Sequence, residues 1–154
     1  MRVSELMTKS PSTCRPSDSA HEAAQIMWER DCGSVPIVDA TGCAVGIVTD
    51  RDLCMAAYLK GRSLSSIAIS EIMSGELCTV RPSDDLSVAE KLMRDHQIRR
   101  LPVVDDGGCV IGMLSFSDVT TGVAHNGAPQ RDGQDVFKTI TAISEPRSGR
   151  QAST

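Results

Sequence analysis

The strongest constraint in this chain is a repeat at one fixed offset. Gly46-Ile47-Val48-Thr49-Asp50-Arg51-Asp52-Leu53 returns 66 residues later as Gly112-Met113-Leu114-Ser115-Phe116-Ser117-Asp118-Val119. At the same offset Pro16 matches Pro82, Met27 matches Met93 and Pro36 matches Pro102, ungapped from Met7/Met73 to Leu53/Val119. One supersecondary unit therefore occurs twice, over residues 3–60 and 69–125, and a distinct tail follows. A unit of about 60 residues holds too little apolar surface to cover both faces of a small sheet. Two units packed about a pseudo-twofold axis bury each other, and the cleft where they meet is a natural ligand site.

Within the first copy, Ser19-Ala20-His21-Glu22 has the reciprocal capping pattern of a helix start. Ala20, Ala23, Ala24 and Met27 then make one helical face. Gly33 is expected to end that helix. Val35-Pro36-Ile37-Val38 reads as a strand, Ala40-Thr41-Gly42 as a turn, and Cys43 to Val48 as a second strand. Thr49 opens a helix reaching about Leu59. The second copy repeats the order, with a helix over Asp85–His96 whose apolar face is Leu86, Ala89, Leu92 and Met93. Strands at Leu101–Val104 and Cys109–Leu114 and a helix from Ser115 to about Ala124 follow. Ser4–Met7 and Ser70–Met73 read as matching half-turns, and Thr13–Pro16 and Cys78–Pro82 as brief leading strands. The predicted class is α+β, each unit a small three-stranded sheet with helices. Residues 126–133 read as a linker, and Val136, Phe137, Ile140 and Ile143 as an amphipathic helix stopped by Pro146. Residues 146–154 read as a disordered, mildly basic tail.

Composition narrows the function. The chain has 154 residues, 40% of them hydrophobic and 23% charged, with a net charge of −4. That balance argues against duplex nucleic acid, which needs a concentrated basic surface. No apolar run approaches the roughly 20 residues that span a bilayer, and the start carries an acid early with no apolar signal core. A cytoplasmic protein is expected. The six cysteines (Cys14, Cys32, Cys43, Cys54, Cys78 and Cys109) form no Cys-x-x-Cys pair and have no neighbouring histidine, so zinc is poorly supported. Most sit in apolar stretches, where a reduced thiol acts as a small hydrophobe. His21, His96 and His125 are unrelated in position and assemble neither a triad nor a metal cluster.

The duplicated box carries the chemistry. A hydroxyl at the N-cap and an acid three residues on, as in Thr49/Asp52 and Ser115/Asp118, make a good helix start and need no ligand to explain them. The same geometry serves a nucleotide. A carboxylate only accepts hydrogen bonds and suits the two hydroxyls of a ribose, while a hydroxyl and free helix amides can receive phosphate oxygens.

Ser34-Val35-Pro36-Ile37-Val38-Asp39 and Arg100-Leu101-Pro102-Val103-Val104-Asp105, each followed by Gly-apolar-apolar-Thr/Ser-x-x-Asp, resemble a pair of cystathionine β-synthase (CBS) domains, the Bateman module. The resemblance spans residues 3 to about 125 and extends to small stand-alone CBS-pair proteins. It implies a regulatory module, not an enzyme, that binds AMP, ADP, ATP, NAD or S-adenosylmethionine between the repeats. It implies ribose contacts from Asp52 and Asp118, and phosphate contacts from Thr49, Ser115, Arg99, Arg100 and Arg51. Adenine would lie between Thr13, Cys14, Cys78 and Thr79 of the leading strands and Val35, Pro36, Leu101 and Pro102. The copies are unequal, since Gly33 and Ser34 stand where the second copy has Arg99 and Arg100. Read without the resemblance, both arginines pair with Asp95 or Asp105 at the surface, and the adenine residues are ordinary core.

Leu53-Cys54-Met55-Ala56-Ala57-Tyr58-Leu59 is apolar all round a helix, and such a helix should not face water. A homodimer through it is expected, which agrees with the disc-like pairing implied by the resemblance. Two rival functions follow from the residues: a thiol redox sensor using Cys14, Cys32 or Cys54, and a small enzyme using the cleft.

Overall fold

The computed structural model describes residues 1–125 and 130–145. The linker reading for residues 126–129 and the tail at 146–154 lie outside them. The chain begins with α1 (Val3–Leu6) and β1 (Thr8–Lys9), followed by α2 (Ala20–Glu29), β2 (Ser34–Val38), β3 (Ala44–Thr49) and α3 (Asp50–Lys60). Two short 3-10 turns, Leu64–Ser66 and Ile69–Glu71, lead into α4 (Leu86–Asp95), β4 (Arg100–Val104), β5 (Val110–Ser115), α5 (Phe116–His125) and α6 (Gln130–Ser144).

Local chemistry sets these bounds. Ser19 and Glu22 satisfy each other's backbone at the start of α2, with Ser19 N–H donating to Glu22 Oε2 at 2.7 Å and Glu22 N–H to Ser19 Oγ at 3.3 Å. The α2 helix closes at Arg30, before Gly33. Gly61, with φ +58°, ends α3 in the left-handed conformation that glycine adopts without a Cβ penalty. Residues 130–133, a linker by composition, belong to α6.

Strand β2 pairs antiparallel with β3, Ser34 opposite Thr49, and β4 with β5, Arg100 opposite Ser115. Both hairpins shift register at equivalent points, Ile37/Val38 and Val103/Val104. The leading strands contract to single parallel bridges, Cys14 to Ile37 and Val80 to Val103. The third strand of the second sheet is an exchanged one. Strand β1, from the start of the chain, pairs with β5, Thr8 opposite Met113. Ser74, in the opening segment of the second copy, bridges instead to Ile47 of the first.

The exchange continues through matching hydrogen bonds. Val3 N–H donates to the Asp84 carbonyl at 3.0 Å, and Ile69 N–H, its counterpart, donates to the Asp18 carbonyl at 2.8 Å. Each lead segment thus docks on the opposite repeat or the preceding one, not on the repeat it introduces. Two hydrophobic clusters result. One gathers Ala20, Ala23, Met27, Val35, Ile37, Val48 and Leu53 with Ile67 and Ile69, and the other Leu86, Ala89, Met93, Leu101, Val103, Leu114 and Val119 with Val3. Helix α6 covers the second cluster: Ile143 is buried in it, and Arg94 Nη1 donates to the buried Thr139 Oγ1 at 2.8 Å.

Candidate functional site

Both boxes sit where a strand turns into a helix, at the end of each hairpin opposite its turn. Thr49 closes β3 and caps α3; its N–H and Oγ1–H both donate to Asp52 Oδ2, at 2.9 and 2.7 Å, and Asp52 N–H returns to Oγ1 at 3.2 Å. Ser115 and Asp118 repeat this at 2.8, 2.7 and 3.1 Å. The cap therefore engages Oδ2 of each aspartate and leaves Oδ1 uncommitted among the described residues. All four side chains are half-buried.

Arg100 reaches from the second box toward the first. It begins β4 opposite Ser115, yet its guanidinium crosses to the first repeat: a Cβ on Gly33 would overlap Arg100 Nη2 and stand 2.9 Å from Asp50 Oδ2. Glycine at position 33 makes room for the arginine of the other copy. Neither Arg99 nor Arg100 pairs with Asp95 or Asp105. Asp95 is held by Lys91, and Asp105 Oδ1 accepts from the Gly107 and Cys109 amides at 2.9 Å. Arg99 and Arg51 are exposed and Arg100 is half-buried. The sequence reading missed Asp50, whose counterpart is Phe116. The signal was available, since that substitution gives the first box a charge that the second lacks.

The expected adenine walls divide. Val35 and Leu101 are fully buried in the separate clusters against the helices, so a ligand cannot touch them without opening the core. Cys14 is buried too, and burial together with Asp18 and Glu22 pushes its thiol up to about 11. Pro36 and Pro102 alternate with those core residues and face the other side of each sheet. Thr13 is exposed; Cys78 and Thr79 are half-buried, and burial raises the Cys78 pKa.

A cavity of about 530 Å³ lies at the turn end of the first hairpin, lined by Thr13, Cys14, Arg15, Asp18, Val38 and residues 39–42. The length of β3, about 17–20 Å, separates it from Thr49 and Asp52. Its single arginine stands against two carboxylates, Asp18 and Asp39, and hydrogen bonds from Thr41 hold the Asp39 pKa below the usual range. This lining repels phosphate, so the boxes are the better candidate for a nucleotide. Among the described residues no three His, Cys, Asp or Glu gather as a metal site, and no helix is long and apolar enough to cross a membrane.

The profile of the CBS domain matches residues 3–58 and again 69–125. The chain belongs to the CBS-domain family. It is 35% identical over 124 residues to the CBS domain-containing protein YhcV of Bacillus subtilis, a match covering 80% of this chain and 86% of that one. A homoserine O-acetyltransferase of Methanohalophilus mahii is 38% identical over 120 residues, 78% of this chain but only 24% of the enzyme. There the CBS pair is one part of a longer protein. Among solved structures, the CBS domain pair of protein MJ0100, in complex with 5'-methylthioadenosine and S-adenosyl-L-methionine, superposes with a TM-score of 0.75 at 28% identity, over 82% of this chain and 98% of that one. CBSX2 in complex with AMP gives 0.71 at 28% identity with the same coverages.

Proposed function

We propose that this CBS pair is a regulatory, non-enzymatic cytosolic sensor of an adenosine-containing ligand held between its repeats. The observation that carries the reading is the pair of half-buried cap boxes, each with one carboxylate oxygen uncommitted, joined by an arginine that crosses from one repeat to the other. Asp52 and Asp118 take the ribose hydroxyls. Arg100, with Arg99 and Arg51, takes phosphate, for which the planar guanidinium fork is well suited. The MJ0100 and CBSX2 complexes support adenosine as the common chemistry. Binding regulates only if it favours one placement of the repeats over another.

A thermal-shift panel of AMP, ADP, ATP, NAD and S-adenosylmethionine tests the reading, because a ligand selective for the native state raises its stability. At least one shift is expected, and none from any of the five would overturn it. Charge inequality between the boxes makes a sharper prediction. Arg99→Ala combined with Arg100→Ala should weaken AMP or ATP about tenfold or more while leaving adenosine nearly unchanged, in line with the value of charge-assisted bonds. Equal losses for both ligands in calorimetry would remove the arginines from the phosphate role.

The sensor acts as a homodimer through α3. Leu53 and Ala56 bury one side of that helix, but Met55, Tyr58 and Leu59 remain 39%, 78% and 73% exposed, and Trp28 on neighbouring α2 is 89% exposed. An apolar surface of this kind marks a contact. Sedimentation should give a dimer for the parent chain and a monomer for Leu59→Asp; a monomeric parent would refute the pairing.

A further inference from the structure

The two hairpin turns meet at the pseudo-twofold axis, and a cysteine from each lies at the meeting point. Cys43 and Cys109 face each other in an antiparallel bridge. Ala44 N–H donates to the Gly108 carbonyl at 3.1 Å and Val110 N–H to the Gly42 carbonyl at 3.2 Å, so the hydrogen bonds flank the cysteines without joining them. Such a non-hydrogen-bonded pair brings its Cα atoms to about 4.5 Å with the side chains close together. Disulfides bridge Cα separations of about 4.4–6.8 Å. Each thiol already points over the other's turn: Cys43 Sγ donates to the Gly107 carbonyl at 3.5 Å and Cys109 Sγ to the Thr41 carbonyl at 3.7 Å.

The turns hold this approach firmly. Asp39 Oδ1 accepts from the Thr41 and Cys43 amides at 2.8 and 3.0 Å, and Asp105 Oδ1 from the Gly107 and Cys109 amides, both at 2.9 Å. Gly42 and Gly108, just before each cysteine, have φ of +86° and +83°, a conformation that glycine adopts freely. Both cysteines are half-buried, so a small oxidant can reach them.

We propose that Cys43 and Cys109 are a reversible disulfide site that covalently ties the two repeats together across the axis. The oxidant is a low-molecular-weight disulfide. Cys43 as thiolate attacks one of its sulfurs and releases one small thiol, and Cys109 then displaces Cys43-bound sulfur as the second. The protein loses two protons and two electrons, and the small disulfide gains both. The Asp105 carboxylate and partial burial raise the Cys109 pKa, with the Cys43 thiol and Asp39 from the facing turn adding to the effect. Oxidised, the repeats are pinned at the turn end and the boxes at the far end lose freedom to move apart.

The bond is independent of the nucleotide reading, and its test reads no ligand. The full chain, with exposed Cys32 and Cys54 changed to serine, is incubated with oxidised glutathione and digested with trypsin without reduction. Segments 31–51 and 101–131 should emerge linked through Cys43 and Cys109, two mass units lighter than the sum of the free peptides, and separate again with dithiothreitol. Oxidation should also raise the thermal midpoint by about 5 °C or more, since closing the loop restricts the unfolded chain. Cys43→Ser and Cys109→Ser, each with unchanged circular dichroism, should lose both effects. An absent linked peptide, or the same rise in midpoint in Cys43→Ser, would overturn the proposal.

Discussion

Asp52→Ala and Asp118→Ala are each expected to weaken adenosine binding at their own box by about 10- to 100-fold, and together to abolish it. Hydrogen bonds to a charged acceptor contribute about 1.5–3 kcal/mol, and each 1.4 kcal/mol is tenfold in affinity. The competing account is that both aspartates only cap helices, because Oδ2 of each already accepts from the preceding hydroxyl and amide. A lost cap costs about 1 kcal/mol of stability and gives no reason for a large loss of affinity in the folded protein. Thr49→Ala separates the two accounts. It removes the hydroxyl of the cap while leaving the Asp52 carboxylate in place, so it should lower the thermal midpoint by a few degrees and leave adenosine affinity within about twofold. Adenosine is the right probe because it has no phosphate for Thr49 to contact. If Thr49→Ala and Asp52→Ala shift midpoint and affinity alike, or if the double aspartate variant binds as the parent does, the ribose assignment falls.

Much of the fold was legible because its determinants are local. The reciprocal cap at Ser19/Glu22 and the helical spacing of Leu86, Ala89, Leu92 and Met93 are read within one turn or two, and the structure buries the expected faces of α2 and α4. The fixed offset supplied the tandem, which no single element could. What stayed hidden depends on contacts distant in sequence. That β1 leaves the first copy to pair with β5 is invisible locally, because Thr8 and Lys9 carry no apolar alternation that names a partner. Arg100 is expected as a phosphate ligand over a surface ion pair, but its reach over Gly33 of the other repeat is not encoded near it in the chain. Val35 and Leu101 illustrate the reverse: period-2 alternation places them in a strand but leaves open which face meets the helices and which the other repeat. Cys43 and Cys109 read as small buried hydrophobes from their apolar neighbours, whereas the structure leaves both half-exposed at the junction.

Gly46→Val and Gly112→Val are expected to destabilise the fold by about 2–3 kcal/mol each, lowering the thermal midpoint by roughly 5–10 °C. Valine ordinarily favours a strand, and at an open position the change would be neutral or stabilising. Here the exchanged segments occupy the space. A Cβ on Gly46 would stand 2.9 Å from the Ser74 carbonyl oxygen and 3.0 Å from Met73 Sδ, and one on Gly112 would stand 2.8 Å from Met7 Sδ and 3.1 Å from the Thr8 carbonyl oxygen. Met7 and Met73 are themselves matched at the repeat offset, so the same collision recurs in both copies. A methionine tip can swing aside, but a backbone carbonyl moves only with its strand, and moving it disturbs the Ser74 N–H to Ile47 carbonyl bond of 3.0 Å. Gly75→Ala, with nothing within 4 Å of its Cβ, is the control and should change the midpoint by little. Calorimetry on the folded fraction should find ligand affinity near the parent value in both valine variants. The glycine of the duplicated box thereby serves the docking of the lead segments, a role separate from the ligand contact proposed for its aspartate. Stability unchanged by Gly46→Val would mean that the exchanged segment is not seated against β3.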